Sequence, residues 1–286
     1  SDNCGIASLV ASTTAFTCAN VGTNSVTLTV TDVNGNTSQC TSTVTIQDTI
    51  SPVAICQDIT IALDPITGLA SIVAADIDNG SNDICGIASL AASQTAFDCN
   101  HVGSNPVTLT VTDNNGNTSA CTATVTVTES TPPVAVCQDI TIFLNGAGNV
   151  SIVAADIDNG SSDNCGIASL MASQTAFTCA NVGTNSVTLT VTDNNGNTSI
   201  CTSTVTVQDT ISPTAVCQDI NLYLDVIGNA TIAGSDIDNG SSDACGITSL
   251  TASQTAFTCA DIGANTVVLT VTDNNSNTSN CSSTVT

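Results

Sequence analysis

The chain has no lysine and no arginine in 286 residues, and it carries 24 acidic groups. It also has no tryptophan, one tyrosine (Tyr223), one methionine (Met171) and one histidine (His101). Soluble domains typically hold ~25% charged residues of both signs, so these absences exclude whole classes of function. Nucleic-acid binding by phosphate neutralisation needs a basic footprint, and none exists. An anionic membrane repels such a surface, and phosphate-bearing substrates find no Arg or Lys clamp. General acid–base and oxyanion chemistry lack their usual side chains. His101 stands where the other copies of an internal repeat carry Asn20, Asn181 and Asp261. No catalytic residue is predicted, and the chain does not read as an enzyme. Apolar runs stay well short of the ~20 residues of a membrane span. No leader pattern opens the chain, which reads as mature or truncated. What such a surface attracts is cations, above all divalent ones.

The acidity does not signal disorder. Apolar residues make up 41% of the chain, with aromatics at only 2%, so the core is built from Val, Ile, Leu and Ala. Small modules with modest cores usually need staples, and fifteen cysteines supply them. That many cysteines point to an oxidising, extracellular setting.

The cysteines expose a repeat. CGIASL begins at Cys4, Cys85 and Cys165, and CGITSL at Cys245, recurring every 80 or 81 residues. This period suits an independent domain. The expected organisation is three full modules, 50–130, 131–210 and 211–286, preceded by the second half of a fourth, 1–49. Within a module, Val187, Leu189 and Val191 alternate with threonines, the period-2 pattern of a half-buried strand. Asn195-Gly196 signals a hairpin turn, and the return strand places Cys201, Ser203, Val205 and Val207 on one face. In AVCQDITIFL (135–144), Cys137 has the opposite parity to Ile140, Ile142 and Leu144, which a kink at Gln138-Asp139 reconciles. NVSIVAADI (149–157) and GIASLMAS (166–173) read as two further strands. Seven or so short strands without helical periodicity predict an all-β chain: tandem immunoglobulin-like β-sandwich modules of about 80 residues, disulfide-stapled.

Four cysteines per module allow three connectivities. The favoured one combines a long bridge with a local one. The long bridges are Cys56/Cys121, Cys137/Cys201 and Cys217/Cys281. The local ones are Cys85/Cys99, Cys165/Cys179 and Cys245/Cys259, with Cys4/Cys18 in the partial copy, which leaves Cys40 alone. A Cys₄ zinc site is the weaker alternative, because no CxxC occurs.

Each module resembles the HYR (hyalin repeat) domain. The resemblance is carried by PVAVCQDI (133–140), DNCG (163–166), NVGT (181–184) and DNNGN (193–197), in that order. Gln138-Asp139 departs from the proline common near the family's first cysteine. The resemblance covers the whole chain. It implies an immunoglobulin-like module of extracellular or cell-surface arrays, acting in adhesion and architecture without catalysis. In bacteria such arrays look like the stalks of large surface adhesins and fibres.

One acidic loop recurs three times: DIDNGSNDICG (76–86), DIDNGSSDNCG (156–166) and DIDNGSSDACG (236–246). The triplets Asp76, Asp78, Asp83, then Asp156, Asp158, Asp163, then Asp236, Asp238, Asp243 are hard oxygen donors around a tight turn, as Ca²⁺ prefers. The competing reading is that they cap turns through side-chain hydrogen bonds. The mutual repulsion of the carboxylates, unrelieved by any basic residue, favours Ca²⁺. The hairpin loops DVNGN (32–36), DNNGN (113–117, 193–197) and DNNSN (273–277) read as turns. At the junctions, Asp48-Thr49-Ile50 and Asp209-Thr210-Ile211 look like bacterial O-glycosylation acceptors at Thr49 and Thr210. Asn159-Gly160-Ser161 and Asn197-Thr198-Ser199 fit an N-glycosylation pattern.

The expected function is that of a structural array, the Ca²⁺-stiffened shaft of an extracellular fibre, filament or cell-surface adhesin. Its partners are neighbouring modules or copies of the same chain. Trypsin-like proteases find no site in it. Two alternatives stand: a module binding a glycan or receptor, and an accessory array of a secreted enzyme. An incomplete module at 1–49 also raises completion by a strand from another chain.

Overall fold

In the computed structural model, which describes residues 3–286, the chain is strands joined by short 3₁₀ turns, with no α-helix among the described residues. Among the described residues, no helix is long and apolar enough to cross a membrane. The chain divides into two compact units, one ending at Ser130 and the other beginning at Thr131.

In the second unit, one four-stranded sheet runs in the order Ile140–Phe143, Thr198–Gln208, Gly183–Asp193, Ile167–Ala172. The central hairpin is antiparallel, with Val187 opposite Ser203 and Leu189 opposite Cys201. Its outer neighbour is parallel, Ile140 pairing with Val205. A second layer pairs Asn149–Ser151 with Ala176–Thr178. The alternation read from the sequence faces Val187, Leu189, Val191, Val205 and Val207 into the core, where Ile152, Ile157 and Phe177 meet them from the other layer. Burying each such side chain contributes about 1.5–3 kcal/mol. The copy at 211–286 repeats this arrangement around Val267, Leu269, Val271, Ile237 and Phe257. The first unit holds the equivalent four-stranded sheet, Ile59–Ala62, Thr118–Thr128, Gly103–Asp113, Ile87–Ala92. It also holds a three-stranded sheet of Ile6–Ala11, Gly22–Asp32 and Thr37–Ile46. Leu9 and Val10 in that sheet are 64% and 59% exposed, because no second layer covers them. The chain is all-β, built of tandem β-sandwich repeats.

The kink expected at Gln138-Asp139 is present and is a change of partner. Cys137 bridges to Asp158, whereas Ile140 pairs with Val205. Between them, the Gln138 carbonyl accepts from Ser203 Oγ at 2.6 Å and Asp139 Oδ1 accepts from Thr204 N at 2.6 Å. The strand expected across 149–157 is shorter than its pattern suggests. Only Asn149–Ser151 is extended, and Ala154–Ile157 forms a 3₁₀ turn whose Val153 N–H is taken by Asp156.

The long disulfides Cys56–Cys121, Cys137–Cys201 and Cys217–Cys281 form as expected. The local bridges do not. Cys18 pairs with Cys85 and Cys179 with Cys245, so Cys4/Cys18, Cys85/Cys99, Cys165/Cys179 and Cys245/Cys259 are all corrected. Cys99 and Cys165 are also disulfide-bonded, while Cys40 and Cys259 are free thiols. Strand register explains the correction. Ile167, just after Cys165, pairs with Asp193, the last residue of strand Gly183–Asp193, whereas Cys179 lies just before the start of that strand. An eleven-residue strand separates the two cysteines by roughly 30 Å, far beyond the ~7 Å a disulfide spans.

Candidate functional site

The three acidic loops fold into turns that use their own carboxylates. Asp158 Oδ1 accepts from Ser161 N and Oδ2 from Gly160 N, at 3.1 and 3.2 Å. Asp156 Oδ2 accepts from Val153 N at 2.7 Å, and Asp163 Oδ1 from Cys165 N at 2.8 Å. The copies at Asp76, Asp78, Asp83 and at Asp236, Asp238, Asp243 make the same bonds. The Ser81 hydroxyl, with the backbone N–H groups of Ser81 and Gly80, holds Asp78 below the usual carboxylate range. Ser241 and Gly240 do the same for Asp238. At Asp158 burial pushes the other way, and the bonds from Ser161 and Gly160 outweigh it. None of the three triplets gathers its carboxylates into one cluster within 4.8 Å among the described residues.

One aspartate of two triplets does meet an acidic neighbour from elsewhere. Asp83 lies with Asp48 and Cys85, and Asp243 with Asp209 and Cys245, each set offering donor atoms within 4.8 Å of one another. Asp48 and Asp209 belong to the Asp-Thr-Ile segments that enter two of the repeats, whereas the junction at 128–133 reads TESTPP. In both, Oδ1 accepts the N–H two residues on, from Ile50 or Ile211, at 3.1 Å. Oδ2 of both is buried without a hydrogen-bond partner. Two carboxylates at such separation repel by roughly 3 kcal/mol near a protein surface. Sequence reasoning singled out Asp48 and Asp209 only as part of a glycosylation pattern. Thr49 and Thr210 themselves are exposed.

The hairpin tips complete the junction. Asp113 and Asp273 are buried and accept from the Asn117 and Asn277 side chains at 2.8 Å. Each asparagine also donates to the carbonyl of the entering segment, Asp48 or Asp209, at 3.2 Å. These loops therefore act as turns that dock the incoming chain.

His101 has a backbone task. Its Nδ1 takes the Asp98 N–H at 3.2 Å, closing a 3₁₀ turn as Asn20 Oδ1, Asn181 Oδ1 and Asp261 Oδ2 do in the other copies. An acceptor atom is what the position requires, which accounts for Asn, His and Asp in one repeat position.

These features define the class of molecule: tandem β-sandwich repeats, three of them closed by a long internal disulfide, with further disulfides joining successive repeats. No family model matches the chain. It is 35% identical over 234 residues to hyalin of Strongylocentrotus purpuratus, an overlap covering 76% of this chain and 19% of hyalin. The chain thus spans about a fifth of that relative's length. Among solved structures it is similar to extracellular cadherin domains 1–4 of protocadherin gamma B7, at 10% identity and TM-score 0.33, covering 94% of this chain and 84% of that one. It is also similar to the human desmocollin-1 ectodomain, at 10% identity and TM-score 0.29, covering 92% and 65%. The similarity to hyalin supports hyalin-like repeats, and it lends no support to the bacterial setting expected above. With the disulfides, it makes this an extracellular or cell-surface protein.

Proposed function

We propose that the chain is a load-bearing segment of an extracellular adhesive array, the shaft of a fibre or surface adhesin. Its HYR-like modules would be bounded at 50–130, 131–210 and 211–286, with part of another at 1–49. Its partners would be neighbouring modules and copies of the same chain. The observation that carries this reading is the pair of disulfides Cys18–Cys85 and Cys179–Cys245, which tie the end of one repeat to the beginning of the next. A covalent tie beside a short linker removes hinge freedom, which serves a shaft and has no use in independent binding modules. The long internal bridges prevent a pulled repeat from extending fully. Bound Ca²⁺ would add stiffness, and the chain's charge of −24 leaves it without basic groups that would compete for its carboxylates. No catalytic role is assigned.

The test is small-angle scattering of the oxidised chain before and after mild reduction, with circular dichroism to confirm that the sandwiches persist. Reduction is expected to increase flexibility while strand content remains. Unchanged scattering with the disulfides broken would show that these ties do not stiffen the array, and the reading would fail.

A further inference from the structure

We infer that the entering segments carry a hard divalent-cation site at the head of a repeat. Asp209 and Asp243 form it in one copy, and Asp48 and Asp83 in another. The purpose of the site rests on the array reading above; its existence does not.

Asp209 is 9% exposed, and its Oδ2 is buried with no hydrogen-bond partner. Its other oxygen already accepts the Ile211 N–H, so the turn does not need Oδ2. An Asp209 carboxylate oxygen lies within 4.8 Å of one on Asp243. Asp243 commits Oδ1 to the Cys245 N–H. Burying an anionic oxygen unpaired beside a second carboxylate is unfavourable, and elsewhere in proteins a Lys or Arg would answer it. This chain has neither, and its only histidine is held by Asp98. The same arrangement recurs at Asp48, whose Oδ2 is also buried and unpartnered beside Asp83. A buried, unpaired carboxylate oxygen next to another carboxylate, seen twice in one chain, is an arrangement that a cation would satisfy.

The donor chemistry selects the ion. The third member of each cluster, Cys85 or Cys245, is in a disulfide, so it offers no thiolate to Zn²⁺ or other soft metals. Carboxylate oxygens, with water and carbonyls completing six to eight ligands, suit Ca²⁺. Two carboxylates make a weak site, with affinity on the order of 0.1–1 mM, the range of extracellular modules. The ion would fasten the entering segment to the repeat beside the inter-repeat disulfide. The DxD portions of the acidic loops are a different place, since Asp238 commits both oxygens, and Asp236 its Oδ2, to local N–H groups.

The test uses the whole oxidised chain, stripped with EDTA and titrated with CaCl₂ by calorimetry. Asp209→Asn with Asp243→Asn is expected to remove one binding equivalent, and Asp48→Asn with Asp83→Asn another. Asp236→Asn with Asp238→Asn is expected to leave the stoichiometry unchanged. A free-thiol assay checks that each variant keeps its disulfides. On the unmodified chain, Ca²⁺ is expected to shift the NMR amide signals of residues 209–211 and 243–245, an observation that does not depend on any variant folding. Binding that survives both junction double variants, or amide shifts confined to residues 236–241, would overturn the site and leave the array reading intact. No heat and no shifts at about 10 mM Ca²⁺ would also overturn it. The array reading would still be judged separately by scattering on reduction.

Discussion

Cys179 and Cys245 are 66 residues apart in sequence and bonded in the fold, their Cα atoms 5.2 Å from one another. Cys179 follows the last short strand of one repeat's second layer, and Cys245 precedes the first long strand of the next. A bridge closing a loop of this size removes chain entropy equivalent to roughly 4 kcal/mol in the entropic account. Cys179→Ser with Cys245→Ser should therefore lower the unfolding free energy of the unit from Thr131 onward by up to that amount. Calorimetric melting measures it, and an unchanged midpoint would show that the bridge restrains geometry without adding stability.

Gly148 is buried with φ +74°, and a Cβ there would stand 2.7 Å from Cys179 Sγ and 3.2 Å from Ala244 Cβ. Gly148→Ala should cost about 1–3 kcal/mol, from backbone strain and displacement of the bridge. Gly146→Ala, two residues away with open space around it, is the control and should be close to neutral in urea denaturation.

Ser276 occupies the left-handed turn position that glycine fills at Gly35, Gly116 and Gly196, with φ +74°. Ser276→Gly should stabilise the repeat by about 1 kcal/mol, since only glycine adopts this conformation without a Cβ clash. A lowered melting temperature would contradict this.

The Ser81 and Ser241 hydroxyls and nearby N–H groups lower the pKa of Asp78 and Asp238 in the folded chain. A carboxyl whose folded pKa is depressed stabilises the fold above its unfolded value near ~3.9. That contribution is lost as pH falls through the lower folded value. Melting temperature should hold from neutral pH to about 4 and then drop. Asp78→Asn with Asp238→Asn should flatten the drop when melts are recorded between about pH 6 and 2.

Replacing His101 separates a turn acceptor from any chemical role. His101→Asn should leave stability within about 0.5 kcal/mol of the parent, because Asn20 and Asn181 close the same turn in their copies. His101→Ala removes the acceptor and should cost about 1 kcal/mol. Equal losses in the two variants, read from denaturant midpoints, would show that the imidazole itself matters.

Much of this protein was legible in its residues. Alternating valine and threonine specified the faces of strands Gly183–Asp193 and Thr198–Gln208, because side chains on a strand point to opposite sides in turn. Asn195-Gly196 marked the hairpin, and the opposite parities of Cys137 and Ile140 marked the crossover between partners. The absence of lysine and arginine left the surface without cationic side chains other than a protonated His101. The cysteine pairing was not legible, because a spacing of fourteen looks local until strand register places Cys165 and Cys179 at opposite ends of a repeat. Nor was the meeting of Asp209 with Asp243, 34 positions apart. Composition and periodicity determine which residues form strands and which faces are buried. Only the closed sandwich, by fixing which chain ends lie side by side, decides which cysteines bond and which carboxylates are forced together.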